Sequence, residues 1–102
     1  MDARAMLTRA IEGKRAVAMR YQGLDRRCCP HILGRNPDGV PHVLVFQYGG
    51  ESASGLPPEG SWRCMRLDQI EAVALIDDPW RTAPTEGHPP PKCVTQVELE
   101  VA

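Results

Sequence analysis

The feature that most constrains the fold is a tight turn between two strand-like segments. In Asn36-Pro37-Asp38-Gly39, Asn suits the first turn position, the Pro ring fixes φ at the second, and Gly tolerates a left-handed backbone. A near-continuous apolar run, 42–48, follows the turn, and such a run is typical of a strand covered on both faces. The turn therefore predicts an antiparallel hairpin around which the rest of the chain must fold.

Several other segments have the residue pattern of short strands. They are 15–21, 26–33, 62–67, 70–76 and the alternating tail 97–101. Pro30 has no backbone N–H to donate, so we expect it at an edge or a bulge. The segment 49–60, rich in Gly, Ser and Pro, predicts a flexible loop. A lone tail strand must pair either with the barrel or with a neighbouring subunit.

Apolar residues at helical spacing predict one helix at the start of the chain: Ala3, Met6, Leu7, Ala10 and Ile11. Asp2 is the expected N-cap and Gly13 the expected C′ residue. The predicted fold is therefore mainly β, a small five- or six-stranded barrel with one N-terminal α-helix. We expect the helix and barrel in 1–80, a proline-rich linker in 81–92, and a final strand in 93–102.

Length, charge and cysteine content narrow the class of protein. At 102 residues the chain suits one domain, and its net charge of −1 gives no overall attraction to nucleic acid. Any anion binding must therefore come from a local cluster of arginines. The opening residues are amphipathic and do not resemble a signal peptide, so we expect a cytoplasmic protein with no membrane contact. In that compartment all four cysteines are expected to be reduced thiols.

Two patterns related to catalysis or metal binding do not have the required spacing. In Cys28-Cys29-Pro30-His31, adjacent cysteines on a strand point to opposite faces, so we predict no metal site and no cofactor. In the segment 50–55, the last Gly arrives one residue too late for a nucleophile elbow. We therefore predict that the protein is not an enzyme. A small hydrolase or redox enzyme that uses a cysteine is the remaining enzymatic alternative, but the sequence names no base for it.

Arginines on two predicted strands are the best candidates for a binding site. Arg26 and Arg27 fall on the second strand, and Arg63 and Arg66 flank the fourth. Guanidinium groups bind phosphate and carboxylate in bidentate fashion and stack on aromatic rings. Nearby aromatic surface would come from three residues: Tyr21, Tyr48 and Trp62. The alternative is that the arginines form ordinary surface ion pairs with Asp25, Glu51 or Asp68.

The order of several short motifs resembles the start of a WYL domain. These motifs are Tyr21-x-Gly23, Arg26-x-Cys28-x-Pro30, and Leu33. Further on, the segment 63–70, with Arg63, Arg66, Leu67, Asp68 and Ile70, is similar to the family's Arg-x-Phe-Arg-Leu-Asp-Arg-Ile. The family's Trp-Tyr-Leu triplet corresponds here to His42-Val43-Leu44, and the second Arg of the last motif is Gln69. The resemblance covers about 11–76.

The resemblance implies an Sm-like, SH3-like barrel and a regulatory role. WYL domains generally act as sensors that bind a ligand, in some cases nucleotides or nucleic acid, in a basic groove. The resemblance would give that role to Arg26 and Arg66, with Arg63 and His42 as neighbours and Tyr21 shaping the site. No helix-turn-helix precedes the barrel, so sequence-specific DNA recognition by this chain alone is not expected. Signalling would then require a partner or self-assembly.

Two functional hypotheses follow from the sequence. The first is a stand-alone WYL-like module that binds an anionic or nucleotide-like ligand through Arg26, Arg63 and Arg66. The second is a protein-interaction barrel without a small ligand, which assembles into homo-oligomers or with a protein partner through the tail strand 97–101.

Overall fold

The computed structural model describes residues 2–52, 55–82 and 90–102. Within them the chain is mainly β with one N-terminal helix, as predicted. The elements are α1 (Ala3–Gly13), β1 (Val17–Tyr21), β2 (Leu24–Arg35), β3 (Pro41–Gly50), β4 (Ser61–Arg66), a 3-10 turn (Leu67–Gln69), β5 (Ile70–Leu75) and β6 (Gln96–Glu100). All six predicted strands are present, and their ends differ from the predicted ones by a few residues.

The strands form one antiparallel sheet in the order β4-β3-β2-β1-β5. β2 is long enough to pair with β3 on one side and, on the other, with β1 and then β6. The tail strand thus pairs with β2 of its own chain. Among the described residues β4 and β5 do not pair with each other, so the sheet is not closed.

The turns and the bulge lie where the sequence placed them. Gly39 has φ 78°, and its N–H donates to the Asn36 carbonyl at 2.9 Å. Gln22 and Gly23 both have positive φ, which matches the type I′ turn that joins twisted strands. The β2–β3 register shifts just after Pro30, so this proline lies at a bulge as expected.

Helix α1 covers one face of the sheet with an apolar stripe. Asp2 caps its N-terminus, since the Asp2 carboxylate accepts the Ala5 N–H at 2.8 Å. The predicted C′ glycine is wrong by one residue: Gly13 is the last helical residue, and Lys14 takes the left-handed conformation. Buried residues on this side form the main core: Leu7, Ala10, Ile11, Val17, Met19, Tyr21, Cys28, Leu33, Val43, Val45 and Met65.

The opposite face of the sheet carries a smaller aromatic cluster. His31 packs between the rings of Trp62 and Trp80, each 4.8 Å away between centroids. Its Nε2 lies 3.0 Å from the Thr82 hydroxyl, and the Arg81 N–H donates to the Cys29 sulfur. The first two residues of the predicted 81–92 linker are thus held against the sheet. Its residues 83–89 lie outside the described ranges.

The prediction that all four cysteines are reduced is wrong for two of them. Cys64 on β4 and Cys93 just before β6 form a disulfide, whereas Cys28 and Cys29 are free and buried. Spacing alone did not indicate this pair because the two residues are 29 positions apart and meet only through the fold. Within the described residues, no helix is long and apolar enough to cross a membrane.

Candidate functional site

Three of the five predicted site residues line one small hollow beside the main core. Tyr21 at the end of β1, Arg26 on β2 and Arg63 on β4 meet there, in a space of about 210 Å³. Gln22, Ser52, Cys64 and Met65 complete its lining. β3 lies between β2 and β4, so the two arginines face each other across it. The sheet order thus brings together two side chains that are 37 positions apart in the sequence.

Arg26 is a buried cation held by a buried amide. Only 5% of Arg26 is exposed, and its Nη1 donates to the Gln47 side-chain oxygen at 3.3 Å. The Gln47 side-chain nitrogen donates to the carbonyls of Gly49 and Glu51, at 3.0 and 2.8 Å. These two bonds fix the amide so that its oxygen faces the guanidinium group. Sequence analysis missed Gln47, which is fully buried on β3.

Arg63 is held by the loop that follows β3. Its Nη2 donates to the Ser52 hydroxyl at 3.1 Å and to the Gly55 carbonyl at 2.9 Å. Ser52 and Gly55 of this loop therefore border the site. β3 extends to Gly50, which shortens the predicted loop.

The hollow has unused hydrogen-bond donors, and the described residues that line it include no carboxylate. Among the described residues, neither Arg26 nor Arg63 forms an ion pair, and the Nε of each is buried without a partner. Burial, followed by the charge of Arg63, lowers the pKa of Arg26. Two like charges in a partly desolvated space repel each other, and an anion between them would relieve that repulsion.

Tyr21 forms a wall of the site and is fixed at both ends. The Arg26 guanidinium carbon lies 5.3 Å from the centroid of its ring. Its hydroxyl donates to the Gln69 side-chain oxygen at 3.3 Å and accepts the Arg66 backbone N–H at 3.1 Å. Gln69, which stands where the WYL motif has an arginine, therefore orients Tyr21 and adds no charge to the hollow.

The structure does not bring Arg66 and His42 into the hollow. Alternation along β4 puts Arg66 on the opposite face from Arg63, and His42 lies beside Arg66 on β3. The Arg66 guanidinium makes two bonds with the Asp68 carboxylate, at 2.9 and 3.2 Å, and this bonding raises the pKa of Arg66. His42 Nδ1 lies 3.0 Å from the Val40 carbonyl oxygen. For Arg66, the structure thus shows the ion pair that the sequence left as an alternative.

A larger depression, of about 610 Å³, is lined mainly by residues of β1, β2 and β5. Three alanines contribute to its lining: Ala18, Ala72 and Ala74. Three arginines line it: Arg20, Arg26 and Arg27. Arg20 contacts Asp25 at 2.9 Å and Arg27 contacts Asp78 at 3.9 Å, whereas Arg26 has no ion pair among the described residues. The two cavities thus share Arg26, but the larger one also has the carboxylates of Asp25 and Glu51 in its lining, and the smaller hollow has Arg63 in its lining.

The free thiols and the histidines do not form a reactive constellation in the described part of the chain. Burial raises the pKa of Cys28 and of Cys29, which disfavours the thiolate form that acts as a nucleophile. No group of three or more potential ligands that could hold a metal ion occurs among residues 2–52, 55–82 and 90–102.

Comparisons with known proteins identify no family for this chain. No family model, no curated protein and no solved structure matches it.

Proposed function

We propose that this protein is a WYL-like regulatory module, without catalytic activity, that binds an anionic group between Arg26 and Arg63. The proposal includes the Sm-like, SH3-like type of barrel, with the two end strands of the sheet left unpaired. One observation carries it: two guanidinium groups from non-adjacent strands meet in a hollow, and their Nε donors have no partner among the described residues.

A surface ion pair does not account for these two arginines. Six other arginines of the described chain pair with carboxylates: Arg4, Arg15, Arg20, Arg27, Arg35 and Arg66. A charged side chain that is buried without a counter-charge lowers stability unless a ligand supplies that charge. The fixed amide of Gln47 and the ring of Tyr21 hold Arg26 in place without neutralising it.

The size of the hollow limits the ligand. Pockets that enclose whole drug-sized ligands are about 300–1,000 Å³, and this hollow is about 210 Å³. We therefore propose that it takes a phosphate or similar group, and that the rest of a nucleotide-like ligand lies outside, toward Ser52 and Gly55. The Ser52 hydroxyl and the two Nε donors would bind the oxygens.

Titration calorimetry at low ionic strength tests this proposal with inorganic phosphate, a nucleoside monophosphate and a short single-stranded oligonucleotide. Arg63→Gln removes one charge and its bidentate donors, so we expect affinity to fall about 10- to 100-fold. Arg20→Gln is the matched control, because this exposed arginine lies outside the hollow and is paired with carboxylates. Equal affinity of the wild type and Arg63→Gln would overturn the proposal.

A further variant separates the hollow from the site that the family resemblance implies. If the resemblance assigned the ligand correctly, Arg66→Gln would weaken binding as much as Arg63→Gln. We expect Arg66→Gln to bind like the wild type, because the Arg66 guanidinium is bonded to Asp68 outside the hollow.

A further inference from the structure

The C-terminal strand occupies a seat on β2 that is held mainly by backbone hydrogen bonds. β6 pairs with 32–35 of β2, and two flanking bonds extend the contact: Thr95 N–H donates to the Arg35 carbonyl at 2.9 Å, and Val101 N–H to the His31 carbonyl at 2.8 Å. Few side chains of the tail are buried, and Val97 is 50% exposed. Val94, Leu99 and Val101 supply the apolar contact of the tail, and Glu98 forms ion pairs with Arg4 and Arg35.

Gly34 shows that this seat is shaped for the tail. Its φ is not positive, so its backbone conformation does not require glycine. A Cβ at this position would collide with the Gln96 carbonyl oxygen and come within 2.7 Å of Val94 Cγ1. The absence of a side chain is thus needed for the close approach of the tail.

The covalent link to the tail is the Cys64–Cys93 disulfide. Cys93 directly precedes Val94, which is buried where the tail enters its seat, and Cys64 lies on the end strand β4. Both cysteines are partly exposed, so a small thiol can reach the bond.

We propose that the Cys64–Cys93 disulfide is a redox latch on the tail, and that the seat on β2 docks the tail of a second copy once the latch opens. A dithiol reductant supplies two electrons and two protons; the S–S bond breaks, Cys64 and Cys93 become thiols, and the reductant closes its own disulfide. The tail then exchanges between its own seat and that of another chain. The occupant is a second copy because the register and the Gly34 gap fit the residues 94–101 of this chain.

The release is tested on the full chain by hydrogen exchange with and without a dithiol. We expect reduction to speed exchange of the amides of β6 and of 32–35 at least about tenfold more than exchange of the amides of β1 and β3, which open only with the whole fold. The Cys64→Ser/Cys93→Ser variant should show the same fast exchange without reductant. Unchanged exchange of the tail, or loss of the native tryptophan fluorescence on reduction, would overturn the latch.

The docking is tested with a labelled peptide of residues 93–102 carrying Cys93→Ser. The chain's own tethered tail competes at an effective concentration on the order of millimolar, so the full chain is titrated to high concentration. We expect the reduced protein to bind the peptide at least about tenfold more tightly than the oxidised protein, and Gly34→Ala in the Cys64→Ser/Cys93→Ser background to abolish binding.

Two altered peptides serve as matched controls. Val97 is exposed and Leu99 packs against the core, so the Val97→Ser peptide should bind like the parent and the Leu99→Asp peptide should not bind. Fast exchange without peptide binding, or equal binding by both altered peptides, would overturn the docking of a second tail. The outcome does not depend on the arginine hollow.

Discussion

The Tyr21 ring lies 5.3 Å from the Arg26 guanidinium carbon, so a buried cation rests on the residue that joins β1 to the end of β4. The ring and the hydroxyl have separate roles. The ring faces the cation in the hollow, whereas the hydroxyl bonds the Arg66 backbone and the Gln69 side chain. Removing the hydroxyl alone therefore separates stability from binding.

We predict that Tyr21→Phe lowers the free energy of unfolding by about 1–3 kcal/mol, because the Arg66 N–H loses its partner in a partly buried place. Phosphate affinity should change little, since the ring remains beside Arg26. Urea unfolding gives the first value and calorimetry the second. An unchanged urea midpoint would show that the hydroxyl does not join the strands.

Gly50 is predicted to be required for the shape of the hollow. It has φ 82°, and a Cβ there would collide with the Asp25 carbonyl oxygen and lie 2.7 Å from the Arg26 Cα. Gly39 has a similar φ, 78°, with open space around it. We expect Gly39→Ala to cost about 1–2 kcal/mol from backbone strain alone, and Gly50→Ala clearly more.

Thermal or urea unfolding of both variants measures this difference. Gly50→Ala should also weaken phosphate binding, because the strain falls on the backbone of Arg26, whereas Gly39→Ala should not. Equal destabilisation by the two substitutions would mean that β2 can shift away from the added methyl group.

The strands and turns were predictable because their signals are local. Alternation in 97–101, the Asn36–Gly39 turn and the proline at the bulge each act within a few residues, and the structure has them. The C′ position of α1 was missed because Lys14 accepts a left-handed φ of 50° that favours Gly or Asn.

Contacts between distant residues were only partly predictable. The hypothesis that Arg26 and Arg63 meet depended on the order of the strands, which the structure supplies. Arg63 and Arg66 are an odd number of residues apart on β4, so their side chains point to opposite faces of the sheet. Gln47 and the Cys64–Cys93 bond gave no pattern in the sequence, because each depends on a long-range contact.

The disulfide is predicted to contribute strongly to stability. It closes a segment of 29 positions, and the loop-entropy relation gives about 3–4 kcal/mol for that length. We expect Cys64→Ser/Cys93→Ser to lower the free energy of unfolding by about that amount in urea. Cys28→Ala removes a buried sulfur without opening a loop and serves as the contrast. A loss below about 1 kcal/mol would show that the unfolded chain gains little freedom when the bond is absent.

The last prediction concerns His31, which makes stability depend on pH. It is 6% exposed between Trp62 and Trp80, and burial lowers its pKa, only partly opposed by its hydrogen bond to the Cys29 carbonyl. The unfolded chain, with an ordinary His pKa of about 6.5, therefore binds a proton that the folded chain resists. Stability is then unaffected well above that pH and falls as the pH drops below it.

We expect the wild-type melting temperature to decrease between about pH 7 and pH 5. In free energy of unfolding, His31 can contribute a slope of up to about 1.4 kcal/mol per pH unit, which corresponds to the uptake of one proton on unfolding. His31→Gln should be less stable at neutral pH but should lose most of that slope, because Gln does not titrate. His42→Gln should keep it, since His42 lies outside the aromatic cluster. The bond to Arg4 lowers the pKa of Glu98, so protonation of Glu98 changes stability only at a pH below this range. Parallel pH profiles for the wild type and His31→Gln would show that the cluster admits the imidazolium form at no cost.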